Sequence, residues 1–157
     1  MPRRTRLQLE RFLPYRLVTL AQRLSTALST IYREQFDITI AEWRILAHLA
    51  NKGELNPTEI ALQTSMDKAR VTRAIKQLDA RRCLLRRRQR GDRRAYRLRL
   101  SAQGLALYRR IEPLALAWEE ELLRALDTAE HKSLLRIIDK LAARAERMGN
   151  GAAGTDD

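Results

Sequence analysis

From Leu9 to Phe36 the apolar residues Leu13, Leu17, Leu20, Leu24, Leu28 and Ile31 recur three or four positions apart, the period of one face of an α-helix. One long amphipathic helix is predicted there, ending at Asp37. Thr39 followed by Glu42 has the spacing of a capping box and opens a second helix, with Trp43, Leu46, Ala47 and Leu49 or Ala50 inward until Gly53 stops it. Asn56-Pro57-Thr58-Glu59 repeats the start signal for a short third helix, about 57–63. Asp67 then caps a fourth, with Val71, Ala74, Ile75 and Leu78 on the apolar side and Lys68, Arg70, Thr72, Arg73, Lys76 and Gln77 outward. Two helices joined by the brief link Thr64-Ser65-Met66 fit a helix-turn-helix.

After these helices the period changes from helical to alternating. Residues 84–89 and 95–100 read as strands around the turn Arg90-Gly91-Asp92-Arg93-Arg94, giving a β-hairpin. Ser101 caps a fifth helix with Leu105, Tyr108, Ile111, Ala115, Trp118 and Leu122 on one face, and Pro113 inside it is expected to kink it. Asp127 and Glu130 open a sixth, running to about Met148. The tail 149–157 is small and polar and is expected to be disordered. No internal repeat is present.

Charge sharpens this picture. The chain carries +12 over 157 residues, but residues 66–99 alone hold fourteen Lys or Arg against three Asp or Glu, leaving about +1 for everything else. So concentrated a patch, on a helix-turn-helix and hairpin, suits a surface that neutralises phosphates.

The same composition excludes other functions. One cysteine, Cys83, and two histidines make neither a disulfide framework nor a metal cluster. No apolar run is long enough for a membrane span, and no signal-peptide core follows the basic N-terminus, so a cytoplasmic protein is expected. No Ser-His-Asp, paired-carboxylate or phosphate-loop arrangement appears, so neither enzymatic activity nor a cofactor is predicted. A non-specific architectural nucleic-acid binder is the alternative that the charge alone would serve. RNA binding is disfavoured because Tyr96 is the lone aromatic of the basic stretch.

Gly91-Asp92-Arg93-Arg94, Arg97-Leu98-Arg99-Leu100 and Ser101-Ala102-Gln103-Gly104, with Met66 to Arg73 in the recognition-helix position, resemble the MarR family over about residues 10–147. The resemblance implies a mainly α fold with an α+β wing. A winged helix-turn-helix lobe would span 37–100, flanked by dimerisation helices in 1–36 and 101–148. It further implies a homodimer on a palindromic duplex-DNA operator, acting in transcription regulation, with a repressor expected. Lys68, Ala69, Arg70, Thr72 and Arg73 would read base edges, since residues near the start of a major-groove helix reach them. Lys76 and Arg81 would touch phosphate, and Arg93 and Arg94 would enter the minor groove with Asp92 bracing the wing. Cys83 stands where that family usually has glycine, which predicts strain or an altered cap after the recognition helix. The thiol itself is expected to fill the core.

Phe12, Leu13, Leu17 and Leu20 near one end and Ile137, Ile138, Leu141 and Met148 near the other are the candidate dimer faces. Many members of that family bind small aromatic or phenolic acids as effectors. Arg16, Ser29, Trp43, Arg44 and His48 are the candidate lining here, offering an apolar wall and donors for a carboxylate.

Overall fold

A computed structural model describes the backbone of residues 7–89 and 92–152 and the side chains of 7–88 and 96–149. Pro14 divides the first predicted helix. The chain makes one 3₁₀ turn at Leu9–Arg11, passes through extended Phe12 and begins α1 at Leu13–Phe36. In the first turn of a helix the missing proline N–H has no partner to lose, whereas further along it would break a hydrogen bond. The continuous helix expected from Leu9 is therefore corrected to a turn plus α1.

α2 (Ile40–Lys52), α3 (Pro57–Thr64) and α4 (Lys68–Ala80) follow, with their predicted caps in place. The Thr39 N–H donates to Glu42 while the Glu42 N–H donates to Thr39 Oγ1, and Asn56 and Glu59 repeat the exchange. The Arg70 N–H donates to Asp67 at 2.8 Å. Each satisfied cap is worth about 1 kcal/mol, enough to matter for helices this short. α2 buries Ala41, Glu42, Ile45, Leu46 and Leu49; α4 buries the predicted Val71, Ala74, Ile75 and Leu78. With Tyr32, Ile38, Ile60, Met66, Leu98 and Ile111 they form one core.

β1 (Leu84–Gln89) pairs antiparallel with β2 (Asp92–Leu100), so the second strand starts three residues before the predicted Ala95. The ladder shifts register between Arg88 and Gln89, and Gln89 pairs with Asp92. Leu55 joins the same sheet by a bridge to Leu98, its N–H donating to the Leu98 carbonyl at 3.0 Å and its carbonyl accepting from the Leu98 N–H at 2.8 Å. That bridge fixes the root of the wing to the segment before α3.

α5 (Ala102–Leu123) starts where Ser101 caps it, and the helix continues through Pro113. The Ser101 N–H donates to the Cys83 carbonyl at 2.9 Å and its hydroxyl donates to the Arg82 carbonyl at 2.7 Å. Gly104 rests on that same Cys83 peptide: an added Cβ would overlap the carbonyl oxygen and lie 3.0 Å from its carbon. The spacing Ser101-x-x-Gly104 thus has a physical cause, a hydroxyl that ties and a missing side chain that permits contact.

The chain forms two compact units, 1–115 and 116–157. In the first, α1 leaves Leu13, Leu17, Val18 and Leu20 exposed. In the second, α6 (Thr128–Ala152) opens on Asp127, which accepts from the Glu130 N–H. It leaves Leu134, Leu135, Ile137, Ile138, Leu141 and Met148 exposed, and none of its described residues is buried. The helix carries on past Met148 to Ala152, so part of the expected tail is helical, and 153–157 lie outside the described residues.

Candidate nucleic-acid interface

The inward set on α4 determines what faces out. With Val71, Ala74, Ile75 and Leu78 buried, Lys68, Ala69, Arg70, Thr72, Arg73 and Lys76 are all exposed. At about 100° per residue, the middle of the exposed arc falls on Ala69, Arg73 and Lys76, with Thr72 on one shoulder and Arg70 and Gln77 on the other. The Thr72 hydroxyl donates to the Lys68 carbonyl at 2.8 Å, which occupies its proton. An exposed arc of cations and small side chains on a capped helix is the surface that fits a major groove.

Arg81 does something else. It donates to the Asp37 carbonyl and to Asp37 Oδ2 at 3.0 Å, and its Nε lies 3.6 Å from the buried Glu42 Oε1. This guanidinium, expected on phosphate, ties the end of α4 to the junction of α1 and α2.

At the wing root the arginines are also engaged. Arg87 donates to Glu54 at 2.6 Å; Arg97 donates to the Glu54 carbonyl at 2.7 Å and lies 3.1 Å from Glu59. Arg86 pairs with Asp79 of α4 and sits 4.6 Å over the Tyr96 ring. The Arg87 hydrogen bond, helped by the charges of Arg87, Arg99 and Arg97, holds the Glu54 carboxyl below its usual range against a smaller effect of burial. Glu59 serves twice, as the capping-box acid of α3 and as a partner of Arg97. Sequence reasoning missed these pairs. The available signal was Glu54 and Glu59, the acids just before and within the short third helix. The side chains of Asp92, Arg93 and Arg94, predicted for the wing tip, lie outside the described residues.

The candidate effector residues are scattered. Arg16 lines a cleft of about 500 Å³ on the first half of α1, with Leu13, Tyr15 and Leu20. Ser29 lies thirteen residues further along α1, about 20 Å away at 1.5 Å per residue, and lines a different cleft. Trp43 is stacked between Tyr32 at 5.1 Å and Tyr108 at 5.6 Å, a role in packing. Arg44 and His48 are half-buried on α2. Burial pushes the Tyr32 hydroxyl well above its ordinary pKa, with the Arg44 charge opposing, and the oxygen has no hydrogen-bond partner among the described residues.

Cys83 is buried, and burial raises its thiol pKa, so core filling describes it. The strain expected there falls one residue earlier: Arg82 has φ +57°, and the Cys83 N–H reaches back to the Leu78 carbonyl at 2.9 Å. A left-handed residue between a helix and its closing 6→1 hydrogen bond is a Schellman ending.

Among the described residues no group of His, Cys, Asp and Glu could hold a metal, and no helix is long and apolar enough to cross a membrane. Residues 36–95 match the family model described as MarR family. A MarR/EmrR family transcriptional regulator from Acinetobacter sp. ADP1 is 27% identical with a TM-score of 0.81, covering 90% of this chain and 99% of that one. BpsR of Bordetella bronchiseptica, whose DNA binding is regulated by 6-hydroxynicotinic acid, is 23% identical with a TM-score of 0.69, over 81% of this chain and 98% of that one. A mutant MarR from E. coli, complexed with operator DNA, is 23% identical with a TM-score of 0.70, over 80% and 91%. No protein of curated function matches the sequence. With the family's sequence pattern over the helix-turn-helix and a shared fold over nine-tenths of the chain, this protein is similar to the transcriptional regulators of the MarR family.

Proposed function

We propose that the protein is a sequence-specific repressor that grips a palindromic operator as a homodimer and is released by a small aromatic or phenolic ligand. The observation that carries this reading is the exposed arc of α4, where Lys68, Ala69, Arg70, Thr72, Arg73 and Lys76 lie clear of the core. Arginine suits bidentate contact with guanine, and the methyl groups of Ala69 and Thr72 suit thymine. Arg93 and Arg94 enter the minor groove in this reading, with Asp92 shaping the wing. The exposed apolar residues of α1 and of α6 supply the dimer contact. Release by an aromatic acid is supported by BpsR, which answers to 6-hydroxynicotinic acid. Arg16, Ser29, Trp43, Arg44 and His48 are offered as the ligand's surroundings, with Arg16 contributed across the dimer because it is remote from Ser29 in one chain.

Selection of bound sites from random duplexes tests the reading. A palindromic consensus is the expected result. Recovery of duplexes without any consensus overturns it in favour of the architectural binder.

A further inference from the structure

Arg33 of α1 lines a cleft of about 470 Å³ together with Arg70, Arg73 and Gln77 of α4. The ion pairs among the described residues engage Arg81, Arg86, Arg87, Arg97 and Arg124, and none of the three arginines in the cleft. Glu42 is the one acid lining it, and its buried Oε1 has no hydrogen-bond partner among the described residues. Its Oε2 accepts from the Thr39 N–H and hydroxyl, its Oε1 lies 3.6 Å from Arg81, and its side chain is 4% exposed. Three guanidinium groups around one cleft repel one another unless an anion enters.

We propose that Arg33 is a DNA-backbone contact, and that a phosphate of the duplex seats between α1 and α4 at the edge of the recognition surface. This rests on the DNA-binding reading above and adds a residue outside the helix-turn-helix and wing to it. Phosphate follows from where the side chain starts. Base edges are reached by the helix inserted in the groove, whereas a neighbouring helix meets the sugar-phosphate rim. Arg70, on the shoulder of α4 toward the cleft, shares the phosphate, while Arg73 at the middle of the arc stays with the bases.

Binding of wild type, Arg33→Gln, Arg33→Lys and Arg109→Gln to operator duplex across a salt series tests the proposal, with thermal melts confirming folding. Arg33→Gln is expected to reduce the slope of log affinity against log salt by about 0.9 per half-site. Its deficit relative to wild type then shrinks by about 3.5-fold per half-site over a fourfold rise in salt. The loss should be the same factor on every single-base operator variant, Arg33→Lys should keep the slope, and Arg109→Gln, an equal change in net charge on α5, should leave it unchanged. A wild-type slope in Arg33→Gln overturns the proposal, as does an equal loss in Arg109→Gln. If wild type binds no duplex, the DNA-binding reading fails with it; an Arg33-independent slope in a protein that binds defeats this proposal alone.

Discussion

The recognition helix and the wing root carry the same kind of charge and use it differently. On α4, Lys68, Arg70, Arg73 and Lys76 are exposed and have no ion-pair partner among the described residues. Around the wing, Arg86, Arg87 and Arg97 are spent on Asp79, Glu54 and Glu59, and with the Leu55–Leu98 bridge they fasten the hairpin to the neighbouring helices. A count of positive residues therefore overstates the number available for phosphate. Part of the basic stretch fastens the wing, and the cations of α4 are left without ion pairs among the described residues.

The largest effect is expected where the two regions join. Gly104→Ala drives a methyl group into the Cys83 carbonyl, backbone that has little room to move. Chemical denaturation should show a loss of about 3 kcal/mol, and an unchanged midpoint would mean that the approach of α5 to Cys83 is looser than described. Next, Arg97→Ala removes the donors to the Glu54 carbonyl and the Glu59 pairing at a side chain only 26% exposed. Stability should fall by about 1 kcal/mol, with operator binding weakened evenly across base variants. A base-specific loss would move Arg97 from the wing's support to its reading surface.

The inward face of α4 was legible because Val71, Ala74, Ile75 and Leu78 fall on one helical stripe behind an Asp67 cap, all within one local window. The same locality explains the successes at Thr39–Glu42 and Asn56–Glu59. The division at Phe12 was missed because apolar periodicity outweighed Pro14, which punctuates the chain without changing the stripe. The ion pairs were missed for a different reason: Arg87 and Arg97 lie far along the chain from Glu54, and charge pattern alone does not say which acid the fold brings near. Likewise Arg16 and Ser29 share a helix without sharing a cleft, a distance that a list of suitable donors does not contain.

A smaller effect, of opposite sign, is expected at the end of α4. Arg82→Gly relieves a left-handed residue at φ +57°. The gain should be about 0.5–1 kcal/mol after the added flexibility of the unfolded chain is offset. A higher melting temperature with unchanged operator affinity is the expected pair of readings, and a lower one would show that the Arg82 side chain makes a contact worth more than the strain.

The smallest effect is in the acid limb. Glu54 is held below its unfolded pKa by Arg87, so its contribution is present above the ordinary glutamate range and is lost as pH falls through the lower, folded value. Glu54→Gln should therefore flatten the fall of stability with acidification below the usual glutamate pKa, read from melting temperatures at a series of pH values. A slope equal to wild type would mean that Glu54 does not hold the wing in solution.

The central claim, that Arg73 at the middle of the exposed arc of α4 reads sequence while the wing-root arginines hold shape, is tested most directly by the ratio of operator affinity to random-duplex affinity at one salt concentration. Arg73→Ala should cut that ratio by about 5- to 150-fold, as loss of a base-reading arginine worth about 1–3 kcal/mol requires, while leaving the melting temperature near wild type. A ratio unchanged by Arg73→Ala, with both duplexes weakened equally, would contradict the account.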